Sequence, residues 1–275
     1  MAGLPAPFRA AVMRAAQRAT RRAASVPAPA LRRLLPAAPR NDHGASLDIH
    51  THALLALMRR TGLDRLAHEP VRARRHFDRN APLLDLPPDP GVLIEDRTLD
   101  GAEGPLPCRF YRPAELRAGE TLPVLLWLHG GGFVIGSLDT HVGPCSLIAA
   151  RARCLVVAVE YRKAPEHPFP AAVEDSLASL RSLRAMKDSL IAQGYDPRRL
   201  AIGGDSAGGN LSAVVCQLLR EAGEEQPALQ VLIYPATDVG RRSASHELFA
   251  SDLFLTRAMM DWFMSHYLRS PEDAM

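Results

Sequence analysis

From residue 92 onward, short apolar runs alternate with helical patterns, and this alternation constrains the fold more than any other feature of the chain. The six runs with strand character cover residues 92–99, 107–113, 123–129, 154–162, 200–204 and 229–235. The last four are apolar almost throughout, as parallel strands are when helices cover both of their faces. Between the runs, apolar residues recur at helical spacing. The pattern predicts an α/β fold with a mainly parallel sheet.

A serine stands between glycines where the fifth run ends and a helical pattern begins. The sequence Gly204-Asp205-Ser206-Ala207-Gly208 fits G-x-S-x-G between a strand and a helix, which is the setting of a nucleophile elbow. Glycines are needed there because strand and helix approach closely, and the N-terminus of the helix directs free N–H groups at developing negative charge. The motif alone could also be a turn that only caps a helix. A phosphate-binding loop does not fit, because no lysine follows and the glycine spacing differs.

A run of glycines follows the third apolar run, at His129-Gly130-Gly131-Gly132. This is the H-G-G-G type of motif, and an oxyanion-hole loop stands after an early strand in the same way. Glycines allow backbone N–H groups to come close to a substrate oxygen. A flexible glycine turn is the alternative for this motif alone. Two such motifs in this order, each after its own strand, predict a serine hydrolase.

Four stretches together carry a family resemblance. They read H-G-G-G-F-V-I-G-S at 129–137, Y-R-K-A-P-E-H-P-F-P-A-A at 161–172, G-D-S-A-G-G-N at 204–210 and L-I-Y-P-A-T-D at 232–238. In these stretches the chain resembles the hormone-sensitive-lipase-like esterases, the bacterial group often called family IV, within the α/β-hydrolase superfamily. The resemblance covers about residues 47–275. It implies an α/β-hydrolase fold with a helical cap, of which about six of the usual eight strands are present.

The resemblance also implies roles for individual residues and a reaction. The roles are nucleophile for Ser206, oxyanion hole for Gly131, Gly132 and Ala207, organiser of the oxyanion loop for His129, and support of the elbow for Asp205 and Asn210. Family members hydrolyse carboxylic esters of short or medium acyl chains through an acyl-enzyme. They use no metal and no cofactor, so we expect a small-molecule ester as the substrate and no metal or cofactor site.

The family's acid and histidine base have no counterpart in this sequence. The acid lies in a D-P-L-x-D-E-like segment and the base in an H-G-F-like one, and neither segment occurs here. After Ser206 the histidines are His246 and His266, whose context does not match the family's triad. A serine hydroxyl needs a histidine base that is itself oriented by an acid. We therefore expect a chain truncated after its cap segment, with impaired catalysis and with the apolar run 229–235 as an exposed edge of the sheet.

Two other functions remain open on the same scaffold. A pseudo-hydrolase that binds a small molecule without turnover would suit the missing base, although Ser206 and the glycine run are intact. An amidase or deacetylase would use the same nucleophile on a different acyl derivative. The oligomeric state is left open.

Composition divides the chain into a basic tail and a slightly acidic remainder. Residues 1–46 are rich in Ala, Arg and Pro and hold eight arginines against the single acid Asp42. We expect this tail to be disordered, with contact to an anionic membrane surface as the alternative. Residues 47–90 read as N-terminal cap helices and a linker, and 91–275 as an incomplete hydrolase core with a cap segment at about 240–270.

The remaining composition argues against several classes of function. The net charge of +3 arises in the tail, so the core gives no reason to expect a nucleic-acid partner. The four cysteines have no C-x-x-C spacing, which is typical of reduced thiols in a cytoplasmic protein. No apolar stretch of 18 residues occurs, so we expect no membrane span. The N-terminal residues carry charge but no apolar run before a cleavage site, so we expect no secretory signal.

Overall fold

The structure is a computed structural model that describes residues 15, 18, 22, 25–41, 44–62, 66–238, 240 and 243–274. Residues 1–14 and several positions up to residue 24 lie outside this set, so the disorder expected of the basic tail stays a prediction. Within the described part of the tail, a helix begins after Pro27 and buries Leu31. None of the described helices has the length and apolar character that a membrane crossing requires.

The described residues form nine α-helices and six β-strands. The helices are α1 (Ala28–Leu34), α2 (Ile49–Thr61), α3 (Pro70–Leu84), α4 (Val142–Ala152), α5 (Ala171–Ala185), α6 (Lys187–Ala192), α7 (Ala207–Glu221), α8 (Ala244–Leu248) and α9 (Arg257–Tyr267). The strands are β1 (Val92–Asp100), β2 (Pro105–Pro113), β3 (Leu122–Leu128), β4 (Leu155–Val159), β5 (Tyr195–Asp205) and β6 (Leu229–Ile233). Short 3₁₀ helices occupy Leu138–His141 and Pro271–Ala274.

The chain divides into two compact units. One comprises residues 1–84 and 242–262, and the other comprises residues 85–241 and 263–275. The division into a tail, a cap and a core, which was predicted from the sequence, stays a prediction.

The first unit is helical and is organised by α2. The Asp48 side chain accepts hydrogen bonds from the backbone N–H groups of His50 and Thr51, both at 3.0 Å, and so caps the start of the helix. The helix ends at Gly62, whose φ of 71° is in the left-handed region that glycine favours. Between these ends, Leu55 and Met58 of α2 are buried.

The second unit contains the sheet, with strand order β1-β2-β4-β3-β5-β6. The pairs β3–β4, β3–β5 and β5–β6 are parallel, and β1–β2 and β2–β4 are antiparallel. The predicted α/β class with a mainly parallel sheet is therefore confirmed, as is the parallel arrangement of the last four strands. All six predicted runs form strands, with ends that differ by a few residues.

The core lies on both faces of the central strands. Trp127 and Leu125 of β3 pack with Cys145 and Ala149 of α4 on one face. The alternate residues Leu126 and Leu128 are fully buried and point to the opposite face. Helices on both faces explain why β3 and β4 are apolar at nearly every position.

The sixth strand is the exposed edge that we expect of the run 229–235. It lies at the edge of the sheet, and Leu229 is 59% exposed. Leu232 and Ile233 are also exposed. The apolar composition of the run, taken alone, indicates a strand covered on both faces. That holds for β3 and β4 but not for β6, because exposure depends on neighbours that lie elsewhere in the chain.

Two leucines test this contrast between a central strand and an edge strand. We expect Leu126→Ala to lower the free energy of unfolding by roughly 3 kcal/mol, because it leaves a cavity in the core. The matched change Leu229→Ala on β6 is expected to lower it by less than about 0.5 kcal/mol. Urea unfolding of both variants measures the difference, and equal losses would contradict the burial described for the two strands.

Candidate active site

Ser206 occupies a strained turn between β5 and α7. Its φ of 51° and ψ of −116° lie where a residue with a side chain rarely falls. Three backbone hydrogen bonds hold Ser206 there. Its N–H donates to the Ile233 oxygen at 2.9 Å, and its backbone oxygen accepts from the N–H groups of Asn210 at 3.0 Å and Ala236 at 3.2 Å. Such strain persists only where the surroundings over-determine it, and here three bonds do so.

The glycines beside Ser206 are required by a close approach of three backbone segments. A Cβ atom on Gly204 or on Gly208 would overlap the backbone oxygen of Leu128, the last residue of β3. A Cβ on Gly208 would also come within 2.8 Å of the His129 oxygen. The ends of β3 and β5 and the start of α7 therefore meet at one point, and the loop after β3 begins beside the elbow.

The glycine loop after β3 presents unpaired backbone donors. Gly131 has φ 127° and Gly132 has φ 57°, and a Cβ on Gly132 would overlap the Phe263 ring. The N–H groups of Gly131, Gly132 and Ala207 donate no hydrogen bond to any residue that the structure describes. Ala207 is the first residue of α7, where an N–H has no partner within the helix. The arrangement can hold an anion or a polarised oxygen.

His129 is a buried ring that contacts its own loop through Gly130 and a more distant segment through Tyr161. Its Nδ1 lies 2.8 Å from the Gly130 oxygen, which can only accept, so Nδ1 carries the hydrogen. The Tyr161 hydroxyl donates to the His129 backbone oxygen at 2.7 Å, and the two rings stack at 4.4 Å. Burial, with the nearby charge of Lys163, holds the pKa of His129 well below its ordinary value. The ring is therefore neutral at pH 7.

Asp205 connects the elbow to the glycine loop. Its Oδ1 accepts a hydrogen bond from the Gly130 N–H at 3.0 Å and lies 3.2 Å from Nε2 of His141. Burial acts to raise the pKa of Asp205, but the hydrogen bond and charge of His141, with the Gly130 N–H, outweigh it and leave the pKa below its ordinary value. His141 belongs to no motif recognised in the sequence, and only the folded structure reveals its partner.

Asn210 joins α7 to the segment that follows β6. Its Nδ2 donates to the Ala236 oxygen at 2.6 Å, while its backbone N–H donates to Ser206. The same segment bonds the Ser206 backbone through Ala236. The side chain is thus well placed for the predicted support of the elbow.

No histidine among the described residues forms a hydrogen bond with the Ser206 hydroxyl. His246 accepts from the Ser243 N–H at 3.0 Å and caps α8, and His266 lies on α9 beside Ser265. Among the same residues, no group of three His, Cys, Asp or Glu side chains could hold a metal ion.

Two substitutions of Ser206 separate strain from chemistry. Ser206→Gly and Ser206→Ala both remove the hydroxyl, but only Ala keeps a Cβ in the strained conformation. We expect the Gly variant to be about 1 kcal/mol more stable to urea unfolding than the Ala variant, because glycine adopts this backbone without penalty. Equal stability, or a more stable Ala variant, would show that the turn is not strained.

The lowered pKa of Asp205 predicts an effect of acid on stability. A carboxylate whose pKa is lower in the folded chain than in the unfolded chain stabilises the fold at pH values above the unfolded pKa, which is ordinarily 3.8. This contribution is lost as the pH falls through the pKa of the folded chain. We expect Asp205→Asn to be less stable than wild type at pH 6, with a gap that narrows below pH 3.8. Urea unfolding at a series of pH values measures the gap, and a gap independent of pH would contradict the shift.

Comparisons with known proteins agree with this geometry. A family model described as an alpha/beta hydrolase fold matches residues 125–275. The chain is 40% identical over 237 residues to a carboxylic ester hydrolase, LipN, of Mycobacterium tuberculosis, covering 83% of this chain and 61% of that protein. It is 38% identical over 209 residues to an ethyl acetate hydrolase of Pseudomonas putida, covering 75% of this chain and 65% of that protein. The chain thus spans less than two thirds of the length of these curated relatives.

Solved structures are similar over most of the chain. An alpha/beta hydrolase enzyme from the metagenome of Lake Arreo is 42% identical, with a TM-score of 0.72 over 80% of this chain and 69% of its own. A hyperthermophilic esterase from Pyrobaculum calidifontis is 36% identical, with a TM-score of 0.70 over 80% of this chain and 71% of its own. Sequence, fold and elbow geometry agree, and the chain belongs to the α/β-hydrolase family, in its hormone-sensitive-lipase-like group.

Proposed function

We propose that this chain is a serine hydrolase of carboxylic esters that forms an acyl-enzyme on Ser206. The observation that carries the proposal is the strained turn at Ser206 beside three backbone N–H groups without partners. Its relatives support the reaction class, since they include a carboxylic ester hydrolase and an ethyl acetate hydrolase. Small-molecule esters with short or medium acyl chains are the substrates we propose.

In the proposed mechanism, Oγ of Ser206 attacks the ester carbonyl, its proton passes to solvent water, and the carbonyl oxygen becomes an oxyanion. The N–H groups of Gly131, Gly132 and Ala207 hold that oxygen. Donors of this kind are worth about 10²–10³ in rate each, because they are oriented before the charge appears. The tetrahedral intermediate then breaks its bond to the alcohol oxygen, and the alcohol leaves with a proton taken from solvent water. Water attacks the acyl-enzyme in the second half of the reaction and releases the acid.

The buried groups beside Ser206 act on the geometry of this proposed site. His129, neutral and bonded through Nδ1 to the Gly130 oxygen, organises the glycine run. It is not the base in this proposal because its other nitrogen, Nε2, makes no hydrogen bond to Ser206. Asp205 and Asn210 hold the two sides of the elbow. None of these roles requires a metal or a cofactor.

Proton transfer limits the rate that we expect from these 275 residues. A serine hydroxyl is a weak nucleophile without a base, and no described histidine bonds Ser206. In a serine protease, loss of the histidine lowers kcat by about 10⁶. The oxyanion donors and substrate binding alone leave roughly 10³–10⁴ over the reaction in water. We infer slow turnover for this chain, with acylation still directed to Ser206.

Acylation by an activated ester tests the proposal. We expect 4-nitrophenyl butanoate to acylate the chain at Ser206, since its leaving group needs no acid, and we expect slow turnover afterwards. Peptide mass spectrometry locates the acyl group, and the released 4-nitrophenolate gives the rate. Ser206→Ala is expected to abolish the labelling, while Ser189→Ala, at an exposed serine on α6, leaves it unchanged.

Other outcomes of that experiment contradict the proposal. Saturable binding of the ester without acylation would favour the binding-protein alternative. Turnover at ordinary enzyme rates would contradict the inferred impairment while keeping the nucleophile. Faster reaction with the corresponding 4-nitroanilide than with the ester would favour an amidase.

A further inference from the structure

His141 is a nearly buried histidine that the proposed mechanism does not use. It ends the 3₁₀ helix Leu138–His141, and its side chain is 12% exposed, against 15% for the side chain of Asp205. Nε2 of His141 lies 3.2 Å from Oδ1 and 3.4 Å from Oδ2 of that carboxylate. An ionised carboxylate can only accept, so Nε2 carries a hydrogen and donates it to Asp205.

The other ring nitrogen of His141 is held as well. Its Nδ1 lies 2.8 Å from Oγ1 of Thr140. That hydroxyl oxygen also accepts from the Ser137 N–H at 3.0 Å and lies 2.9 Å from the Ser137 oxygen. The 3₁₀ helix is anchored at its start, where the Leu138 N–H donates to Glu160 at 2.8 Å. With contacts at both nitrogens, the ring has one orientation, and in it Nε2 points at Asp205.

The carboxylate that His141 holds is bonded in turn to the glycine loop. Oδ1 of Asp205 accepts from the N–H of Gly130, which directly precedes Gly131 and Gly132. Asp205 itself directly precedes Ser206. The Asp205 side chain therefore joins the turn at Ser206 to the loop that carries the unpaired N–H donors. His141 donates the side-chain hydrogen bond that fixes this carboxylate.

We propose that His141 is a positioning residue for the oxyanion loop. Its Nε2 hydrogen bond holds the Asp205 carboxylate where it accepts the Gly130 N–H, and this bond sets how the Gly131 and Gly132 donors face Ser206. His141 touches no reacting atom in this account. The proposal rests on the proposed function, because the donors matter to the rate only if Ser206 is the nucleophile.

A pair of conservative variants separates this role from general packing. The amide nitrogen of glutamine stands about as far along the side chain as Nε2 of histidine, whereas that of asparagine stands where Nδ1 does. His141→Gln can therefore still donate to Asp205, and His141→Asn can reach only Thr140. His68→Gln, at an exposed histidine in the helical unit, is the matched control.

Phosphorylation of Ser206 by diethyl 4-nitrophenyl phosphate is the first readout. A bond forms between Oγ and phosphorus, the bond from phosphorus to 4-nitrophenolate breaks, the leaving group takes the electron pair, and the serine proton passes to solvent. We expect a roughly tenfold to hundredfold slower reaction for His141→Asn, because misplaced donors stabilise the developing charge poorly. His141→Gln and the control are expected to stay within about threefold of wild type.

Hydrogen exchange of the Gly130 N–H is the second readout, and it does not depend on activity. We expect faster exchange in His141→Asn than in wild type and in His141→Gln, while the Leu126 N–H in β3 exchanges alike in all of them. If wild type is not phosphorylated at Ser206, the proposed function fails, and the exchange rates still decide the role of His141. Equal labelling rates and equal Gly130 exchange in the Asn and Gln variants would overturn the inference.

Discussion

The close approach of three backbone segments around the Leu128 oxygen is the constraint on which the rest of the site depends. Any side chain at Gly204 or Gly208 would collide with that oxygen, so the chain can pack β5 and α7 against β3 only with glycines there. The approach compresses the link between strand and helix into a single residue, Ser206, with positive φ. It also brings the free N–H of Ala207 and the loop after β3 to the same place. The close packing around the Leu128 oxygen therefore positions both parts of the proposed site.

The elbow and the glycine loop could be predicted from the sequence because their requirements are local. A turn that sharp needs glycine on both sides of the serine, and backbone donors that approach a ligand need residues without side chains. Those demands appear as fixed short spacings, such as G-x-S-x-G at 204–208. The strands β3, β4 and β5 were predictable for a similar reason, since burial on both faces excludes polar residues along a short run.

What could not be predicted depends on partners far apart in the chain. His141 lies 64 positions before Asp205, and Gly130 lies 75 positions before it, so no spacing rule links the three residues. The exposure of β6 likewise does not follow from its own composition, because an apolar run does not say whether another element covers it. It was expected only from the number of strands in the sheet of the family that the chain resembles. Such facts belong to the assembled sheet rather than to any one segment of the sequence.

A tetrahedral adduct on Ser206 tests the central claim most directly. A phenylalkylboronic acid adds to a serine nucleophile and leaves a boron-bound oxygen where the oxyanion would lie. We expect the amide proton resonances of Gly131, Gly132 and Ala207 to move downfield together when the adduct forms, and we expect no such change in Ser206→Ala, because three donors then share one acceptor. An adduct on Ser206 that leaves these three resonances in place would contradict the account.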